Sequence, residues 1–419
     1  MAGETPSSTH PPLPPTTEDE RLSWLRLLRS RRVGPQTFHR LIRQHGSARA
    51  ALTELPALAR AAGDMEYQIC PEGPARAELK AARRAGAALL CWGAPDYPAA
   101  LMTIPDAPPL LWALGDIRFA NRPAVALVGA RNASSLGLRM ARRLAGELAE
   151  AGITVVSGLA RGIDAAAHEA ALGAGKGAGA GSQERPRGSE GAGRMAGPSQ
   201  PPAGSTIAVF AGGADVLYPT QNAALARAIA ARGLILTEQP FGLQPQPRHF
   251  PLRNRIVSGL ALGVVVVEAA ARSGSLITAR TALDQGREVL VVPGHPLDSR
   301  ASGCNMLLRD GATLVRSAED VISALGPLLE PAFDLRPDAP ALPLGEEIAA
   351  LPAPAPRPSG ETRALHAAIL EKLSAAPLGE DQLLRDVGAA AGEFGPALTE
   401  LELGGSIRRE AGGLLTRAV

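Results

Sequence analysis

The sequence has almost no net charge and few aromatic residues. Its 43 lysines and arginines stand against 41 acids, a formal net charge of +2, and aromatic residues make up 3% of the 419 residues. A chain that holds nucleic acid by its overall charge is therefore excluded, and any such site must be a local basic feature. The three cysteines, Cys70, Cys91 and Cys304, are too few and too scattered for a disulfide framework or a zinc site, and they fit a reducing cytoplasm.

Long apolar segments are missing as well. The longest run, GLALGVVVVEAAA at 259–271, is shorter than the ~20 residues that a membrane span needs. The N-terminal stretch MAGETPSSTHPPLPP has neither a basic start nor an apolar core, so we expect no secretory signal and no membrane partner. Residues 1–17 instead predict a disordered tail.

Glycine and proline, by contrast, are abundant. The 46 glycines and 37 prolines together make up 83 of the 419 residues. In an average protein these two residue types make up about 12% of the chain. Many of them lie in residues 173–205, where 24 of 33 residues are Gly, Ala, Pro or Ser. This composition predicts a disordered insertion. The alternative is a flexible arm that grips DNA, since four basic residues occur there against two acids. Residues 331–360 predict a Pro/Ala linker.

An α/β rhythm fills residues 121–330. Helical patterns alternate with short runs typical of strands: AVALV, ITVV, TIAVF, LIL, GVVVVE and EVLVV. Such alternation predicts the α/β class, with a doubly wound, mostly parallel sheet.

Smaller modules flank this region. Residues 18–62 predict short helices with nine arginines against four acids, a local charge of +5. Residues 63–120 predict a connecting segment that packs on the core. Residues 361–419 predict a winged helix with six basic and nine acidic residues, and this charge of −3 favours partner binding or self-association over duplex DNA.

Ligands of a doubly wound sheet bind where its strands end, so the strand-to-helix turns are the candidate sites. In VGARNASSLGLRMA, Gly129 and Ala130 allow close backbone approach, Arg131 offers a planar fork for phosphate, and Asn132 or Ser134 can cap the following helix. The spacing is not GxGxxG and no acid ends the next strand. We therefore disfavour an NAD site and expect no cofactor.

Three further turns share this character. Each follows a predicted strand and combines glycine with hydroxyl groups or arginine, and the residues are Ser157, Gly158 and Gly162, then Gly212 and Gly213, then Ser273, Gly274 and Ser275. One such turn is weak evidence, because tight turns need glycine for geometry alone. Four in one sheet indicate an anion-binding edge.

No catalytic set emerges from the remaining reactive residues. Asp164 is either part of that edge or a charge that stabilises the start of its helix. His168 has no evident acid–base partner and is predicted to pack in the core or on the surface of its helix, and Cys304 is predicted to be a buried structural thiol.

The segment QPQPRHFPLRNRIVSGL is the most informative. Arg248, Arg253 and Arg255 fall within eight positions together with His249, and no acid occurs from 239 to 267. Phe250 lies among them, and Pro247 and Pro251 argue against a plain helix. Cations that track phosphates around a ring that stacks on a base are typical of single-stranded nucleic acid binding. The alternative is a solvated basic loop with its ring in the core.

Taken together these motifs resemble the DprA/Smf family, the DNA-processing proteins of bacterial transformation. The resemblance rests on six stretches in order: VALVGARNAS, VVSGLARGIDAAAH, FAGGADVLYP, HFPLRNRIVSGL, EAAARSGSLITAR and VPGHPLDSRASGCNMLLRDGA. It implies an extended Rossmann-like domain between a helical (SAM- or helix-hairpin-helix-like) N-terminal domain and a winged helix. It also implies a cytoplasmic homodimer without enzymatic activity that protects single-stranded DNA and helps to load the RecA recombinase.

The same resemblance implies which residues meet DNA. They are the turn Gly129, Ala130 and Arg131, the loop Arg248, Phe250, Arg253 and Asn254, and the turn Ser273 to Ser275. A lysine present in some relatives three residues before the phenylalanine is Pro247 here, with Arg248 as its substitute. The insertion at 173–205 is a second departure, because it separates motifs that should meet in one pocket.

Two other functions stay open. The first is a nucleotide phosphoribohydrolase of the lysine-decarboxylase-like group, although EAAARSGSLITAR lacks the glycine pair and the following glutamate of that group's PGGxGT motif. The second is a nucleotide-sensing scaffold that has no role with DNA.

Overall fold

The computed structural model describes residues 13–61, 65–174 and 206–333, then 359–373, 378–389 and short stretches between 394 and 417. Most of the predicted tail, all but the first two residues of the predicted insertion and most of the predicted linker lie outside these residues. The chain divides into two compact units, Met1–Pro337 and Asp338–Val419.

The first unit begins with four helices: α1 (Glu18–Arg29), α2 (Pro35–His45), α3 (Ala48–Ala61) and α4 (Glu72–Arg84). A capping box starts α1, since the Thr17 hydroxyl accepts from the Glu20 N–H and the Glu20 carboxylate accepts from the Thr17 N–H. A left-handed Gly46 ends α2, where only glycine is free of strain.

Nine strands then form one sheet: β1 (Ala88–Cys91), β2 (Leu110–Gly115), β3 (Ala124–Val128), β4 (Thr154–Ser157), β5 (Thr206–Val209), β6 (Leu234–Thr237), β7 (Gly263–Val266), β8 (Glu288–Val291) and β9 (Thr313–Leu314). Their spatial order is β1-β2-β6-β5-β4-β3-β7-β8-β9. All neighbours from β6 to β9 are parallel, whereas β1–β2 and β2–β6 are antiparallel. The predicted α/β class and mostly parallel sheet are confirmed.

Helices cover both faces of this sheet: α5 (Ser135–Glu150), α6 (Ile163–Gly173), α7 (Ala223–Arg232), α8 (His249–Leu260), α9 (Ser275–Asp284), α10 (Ser302–Arg309) and α11 (Ala318–Phe333). Alternate residues of β3 join different cores, because successive side chains of a strand point to opposite faces. Ala126 packs with α8 and α9, and Leu127 packs with α5, α6 and α11.

The segment 63–120 does more than pack on the core of the sheet, because it also supplies strands. Its helix α4 packs with α1, and its strands β1 and β2 extend the sheet, so the sheet starts before residue 121. The prediction that Pro247 and Pro251 exclude a helix is wrong. Pro251 is the third residue of α8, in the first turn, where a backbone N–H has no partner in the helix and its loss costs little.

The connection from α6 to β5 contains the predicted insertion. Since α6 runs against the strands, its end and the start of β5 lie at the amino-terminal edge of the sheet. The turns that follow β3, β4, β5 and β7 lie at the opposite edge, so the insertion does not separate them.

The second unit contains α12 (Ser359–Lys372), β10 (Leu378–Gly379), α13 (Glu380–Val387), β11 (Ile407–Glu410) and β12 (Leu414–Arg417). Its strands form a three-stranded antiparallel sheet in the order β10-β12-β11. Ile369, Leu383, Leu398 and Leu415 are buried together between this sheet and the helices. Helices followed by a hairpin agree with the predicted winged helix.

A polar cluster joins the N-terminal helices to the sheet. The Glu78 carboxylate accepts two bonds from Arg29, at 2.8 and 3.0 Å, and one from the Trp112 indole N–H at 2.8 Å. Arg29 also donates to the Glu238 carbonyl, at the end of β6. The side chains of Glu78 and Arg29 are only 9% and 17% exposed, so each depends on the other for compensation.

We expect Glu78→Gln to lower the free energy of unfolding by about 3 kcal/mol, because it removes the ion-pair partner of the largely buried Arg29 guanidinium. Urea unfolding followed by tryptophan fluorescence measures this directly, since Trp24, Trp92 and Trp112 all belong to the first unit. Glu18→Gln is the control, because the Glu18–Arg83 pair is exposed and its removal should hardly register. Equal effects of the two variants would contradict the prediction.

Candidate nucleic-acid interface

The strand order of the sheet reverses between β3 and β7, which opens a crevice where their carboxyl ends meet. Two backbone bonds tie the loops behind this crevice: the Ala130 N–H donates to the Glu268 carbonyl at 2.7 Å, and the Val267 N–H donates to the Val128 carbonyl at 3.0 Å. In front of them lies a groove of about 910 Å³, joined by shared walls to a side pocket of about 300 Å³.

The groove brings together most of the residues singled out in the sequence. It is lined by Gly129, Ala130, Arg131, Gly158, Phe250, Arg253, Asn254, Ser273, Gly274 and Ser275. Gly212 lines the side pocket. Segments far apart in the chain meet here because all of them lie at the carboxyl edge of the sheet.

Three residues that were predicted to bind DNA line neither the groove nor the side pocket. Ser157 is buried, and its hydroxyl donates to the Leu127 carbonyl at 2.6 Å. Gly213 is buried against Asp215 and Pro240, where a Cβ would lie 2.6 Å from their oxygens. Arg248 is exposed, and its Nε donates to the ring of His249. Ser157 and Gly213 thus shape the turns, and Arg248 is not part of the wall of the groove.

Aromatic and cationic side chains stack at the junction of the groove and the side pocket. The Arg131 guanidinium carbon lies 5.2 Å from the centre of the half-buried Phe250 ring. The ring of Tyr218, 50% exposed, lies 5.9 Å from that of Phe250, tilted by 53°. Tyr218 was not predicted as a site residue from the sequence, so its place beside Phe250 was missed.

Arg253 is the buried cation of the site. It is 5% exposed, and its Nη1 donates to the Val209 carbonyl at 2.6 Å. Gly158 lies against its guanidinium, where a Cβ would overlap Nη1. Burial lowers the pKa of Arg253 to about 10, so it keeps its proton at neutral pH, and the charge of Asp164 offsets part of this shift.

Asp164 shapes the turn after β4. Its carboxylate accepts from the backbone N–H groups of Gly158 and Ala160, at 3.2 and 3.3 Å. Burial raises its pKa, while Arg253 and these two donors act to lower it. Asp164 therefore does more than stabilise the start of α6, because it fixes the backbone that lies against Arg253.

The lining has a strong excess of positive charge. Of the described residues in the two walls, Asp164 is the one acid, and five are arginines: Arg131, Arg161, Arg253, Arg272 and Arg300. Three of these arginines, Arg161, Arg272 and Arg300, were not predicted as contacts from the sequence. Arg161 and Arg272 each belong to one of the glycine turns, and this was the available signal.

Two predictions of structural roles agree with the structure. His168 is fully buried, its Nδ1 lies 2.7 Å from the Thr206 hydroxyl, and burial lowers its pKa to about 3. Cys304 is buried with its thiol 3.8 Å from the Val266 carbonyl, and burial raises its pKa to about 11.

Within the part of the chain that the structure describes, no cluster of potential metal ligands occurs and no helix is long and apolar enough to cross a membrane.

Comparison with known families decides the assignment. The family described as DNA recombination-mediator protein A matches residues 88–181 and 199–326, a range that contains the whole groove. The chain belongs to this family. A DprA-like N-terminal HHH domain matches residues 18–81, and a DprA winged helix domain matches residues 353–413, so the resemblance to DprA/Smf proteins is confirmed along the chain.

Individual relatives agree with this membership. Protein Smf from Synechocystis sp. is 33% identical over 336 residues, which cover 76% of this chain and 77% of the relative. DNA processing protein DprA from Streptococcus pneumoniae is 41% identical over 227 residues, 54% of this chain and 70% of the relative. The X-ray structure of the latter aligns with a TM-score of 0.49 and 31% identity, and it covers 70% of this chain and 98% of that one.

Gly158→Ala should destabilise the protein by about 1–3 kcal/mol, because the new methyl group overlaps the buried Arg253 guanidinium. Gly274→Ala is the matched control. Gly274 has a helical φ of −61° and open space around it, so its variant should stay within about 0.5 kcal/mol of the parent. Urea unfolding compares the two, and an unaffected Gly158→Ala protein would show that Arg253 is not held against this turn.

His168 should make stability fall in acid. Its pKa is lowered in the folded state, so only the unfolded chain takes up this proton as the pH falls below 6.5, and the destabilisation grows until about pH 3. At pH 5 this destabilisation amounts to about 2 kcal/mol, and above pH 7 it is absent. Unfolding free energies at pH 7.5 and 5 should therefore differ less in His168→Gln than in the parent. The exposed His295→Gln should keep the parent's difference, and an unchanged difference in His168→Gln would refute the assignment.

Proposed function

We propose that this family member binds single-stranded DNA along the groove at the carboxyl edge of its sheet and acts as a recombination mediator in transformation. The observation that carries the proposal is the stack of Arg131, Phe250 and Tyr218 at the junction of the groove and the side pocket. Cations follow phosphates, and exposed ring faces accept unpaired bases whatever their sequence.

The distribution of charge supports this role. The protein as a whole is nearly neutral, yet five arginines and one acid line the groove and its side pocket. Bulk attraction cannot hold DNA on such a molecule, so affinity should come from a few phosphate contacts at one place. A duplex hides its base faces in the stack, and this favours the single strand at a site built on aromatic contacts.

We propose further that the protein works without catalysis. The Asp164 carboxylate is committed to two backbone N–H groups, and the hydroxyls of Ser273 and Ser275 lie 2.7 Å from each other. No histidine belongs to the described walls. This arrangement supports binding more than the phosphoribohydrolase alternative.

The remaining parts of the proposal rest on family membership. We propose that the protein delivers the strand to the RecA recombinase and, because RecA acts in the cytoplasm, that it works there. We also propose that it acts as a homodimer. Arg248 is proposed only as an outer contact, since it lies outside the groove wall.

The test is fluorescence anisotropy with a labelled oligothymidylate and its duplex over a range of salt concentrations. Arg131→Ala should weaken binding to the single strand and reduce the slope of log K against log salt by about 0.7 for each phosphate that the variant no longer neutralises. Phe250→Ala should cost about 1–3 kcal/mol, because a stacked base loses its platform. Arg139→Ala is the control, since it removes an exposed arginine on α5 that does not line the groove. Full affinity in the double variant Arg131→Ala, Phe250→Ala would overturn the proposal.

A further inference from the structure

A buried carboxylate closes the helix end that faces the crevice. Glu268 follows β7, is 8% exposed, and reaches across to the start of α5. Its Oε1 accepts from the Ser134 N–H at 2.9 Å, and its Oε2 accepts from the Ser134 hydroxyl. The same hydroxyl accepts from the Gly137 N–H at 3.0 Å, so the cap and the carboxylate form one unit.

The surroundings are fitted to this carboxylate. Gly137 lies in the first turn of α5, and a Cβ there would come within 2.6 Å of Oε2. The helix is 16 residues long and has no acid of its own in the first turn. Glu268 therefore supplies from another strand the negative charge that the positive end of a helix dipole attracts.

The position of Glu268 explains why this arrangement matters. In a doubly wound sheet the helix after the first parallel strand at the switch point directs its free N–H groups at the phosphate of a bound nucleotide. Here β3 is that strand and α5 that helix. The place that a nucleotide phosphate would take is filled by a side chain of the protein itself.

We propose that Glu268 is a specificity-determining residue that closes this crevice to the phosphates of free nucleotides. It does so by occupying the N–H and the hydroxyl of the N-cap residue Ser134, whose hydroxyl in turn occupies the Gly137 N–H, and by repelling a second anion at short range. The groove in front, with Arg131, Arg272 and Arg300, stays open to a phosphodiester chain, which needs no helix end. Only this last point depends on the proposed function.

The experiment compares the parent protein with Glu268→Ala, using inorganic phosphate and AMP as probes. Isothermal titration and the shift of the melting temperature report binding, and an anisotropy competition reports whether AMP displaces the oligothymidylate. The parent should bind both probes only weakly, whereas Glu268→Ala should bind each of them at least roughly tenfold more tightly than the parent. Glu150→Ala removes the same charge from the exposed far end of α5 and should behave as the parent does.

Two results would overturn the proposal. One is a folded Glu268→Ala protein that binds phosphate no better than the parent, and the other is a parent that already binds AMP as tightly as the variant. Should the alanine variant fail to fold, Glu268→Ser offers a hydroxyl near Ser134 and opens the same space, and the same comparison applies. Failure of the parent to bind the oligothymidylate would count against the proposed function and leave the phosphate comparison intact.

Discussion

The burial of the Arg253 guanidinium is the constraint on which the site depends. A cation that is 95% removed from solvent needs both compensation and room within the protein, and three residues supply them. The Val209 carbonyl at the end of β5 accepts from it, Asp164 at the start of α6 opposes its charge, and Gly158 leaves the space that it fills. The turns after two strands and the first half of α8 are thereby held in one arrangement, with Arg131 and Phe250 at its surface.

A second set of charges holds the other side of α8. Arg255 pairs with Glu238 and with Asp106, and Arg29 of the first helix donates to the Glu238 carbonyl. Two arginines on one helix, two positions apart, thus lie in different parts of the molecule. Arg253 lines the groove, and Arg255 pairs with Glu238, the residue whose carbonyl Arg29 of α1 contacts. The helical module and the groove consequently share one rigid element, although they are separated by some two hundred residues of chain.

The sequence predicted the part of the fold that follows simple periodic rules. All six predicted strand runs of 121–330 correspond to β3–β8, because parallel strands covered on both faces form short apolar runs between glycine turns. It missed β1 and β2, which belong to a proline-rich segment and pair antiparallel at the sheet edge, and β9, which is two residues long and has no pattern of its own. The glycine turns meet at one edge of the sheet, as their positions after parallel strands predicted, and whether this edge binds DNA stays a prediction. The burial of Arg253 could not be predicted, because a basic residue in a basic segment is ordinarily exposed, and its compensation by Gly158 and Asp164 exists only in three dimensions. The role of Glu268 was missed for the same reason, since its partner Ser134 is 134 residues away.

The connection between α6 and β5 has a consequence for how this protein can vary. Helix α6 ends at Gly173 and β5 begins at Thr206, both at the edge of the sheet opposite to the groove. Additions at this point lengthen no turn that carries an arginine or an aromatic ring of the site. A fluorophore, an affinity tag or a fused domain attached at the end of α6 or at the start of β5 would therefore begin at the edge of the sheet opposite to the groove.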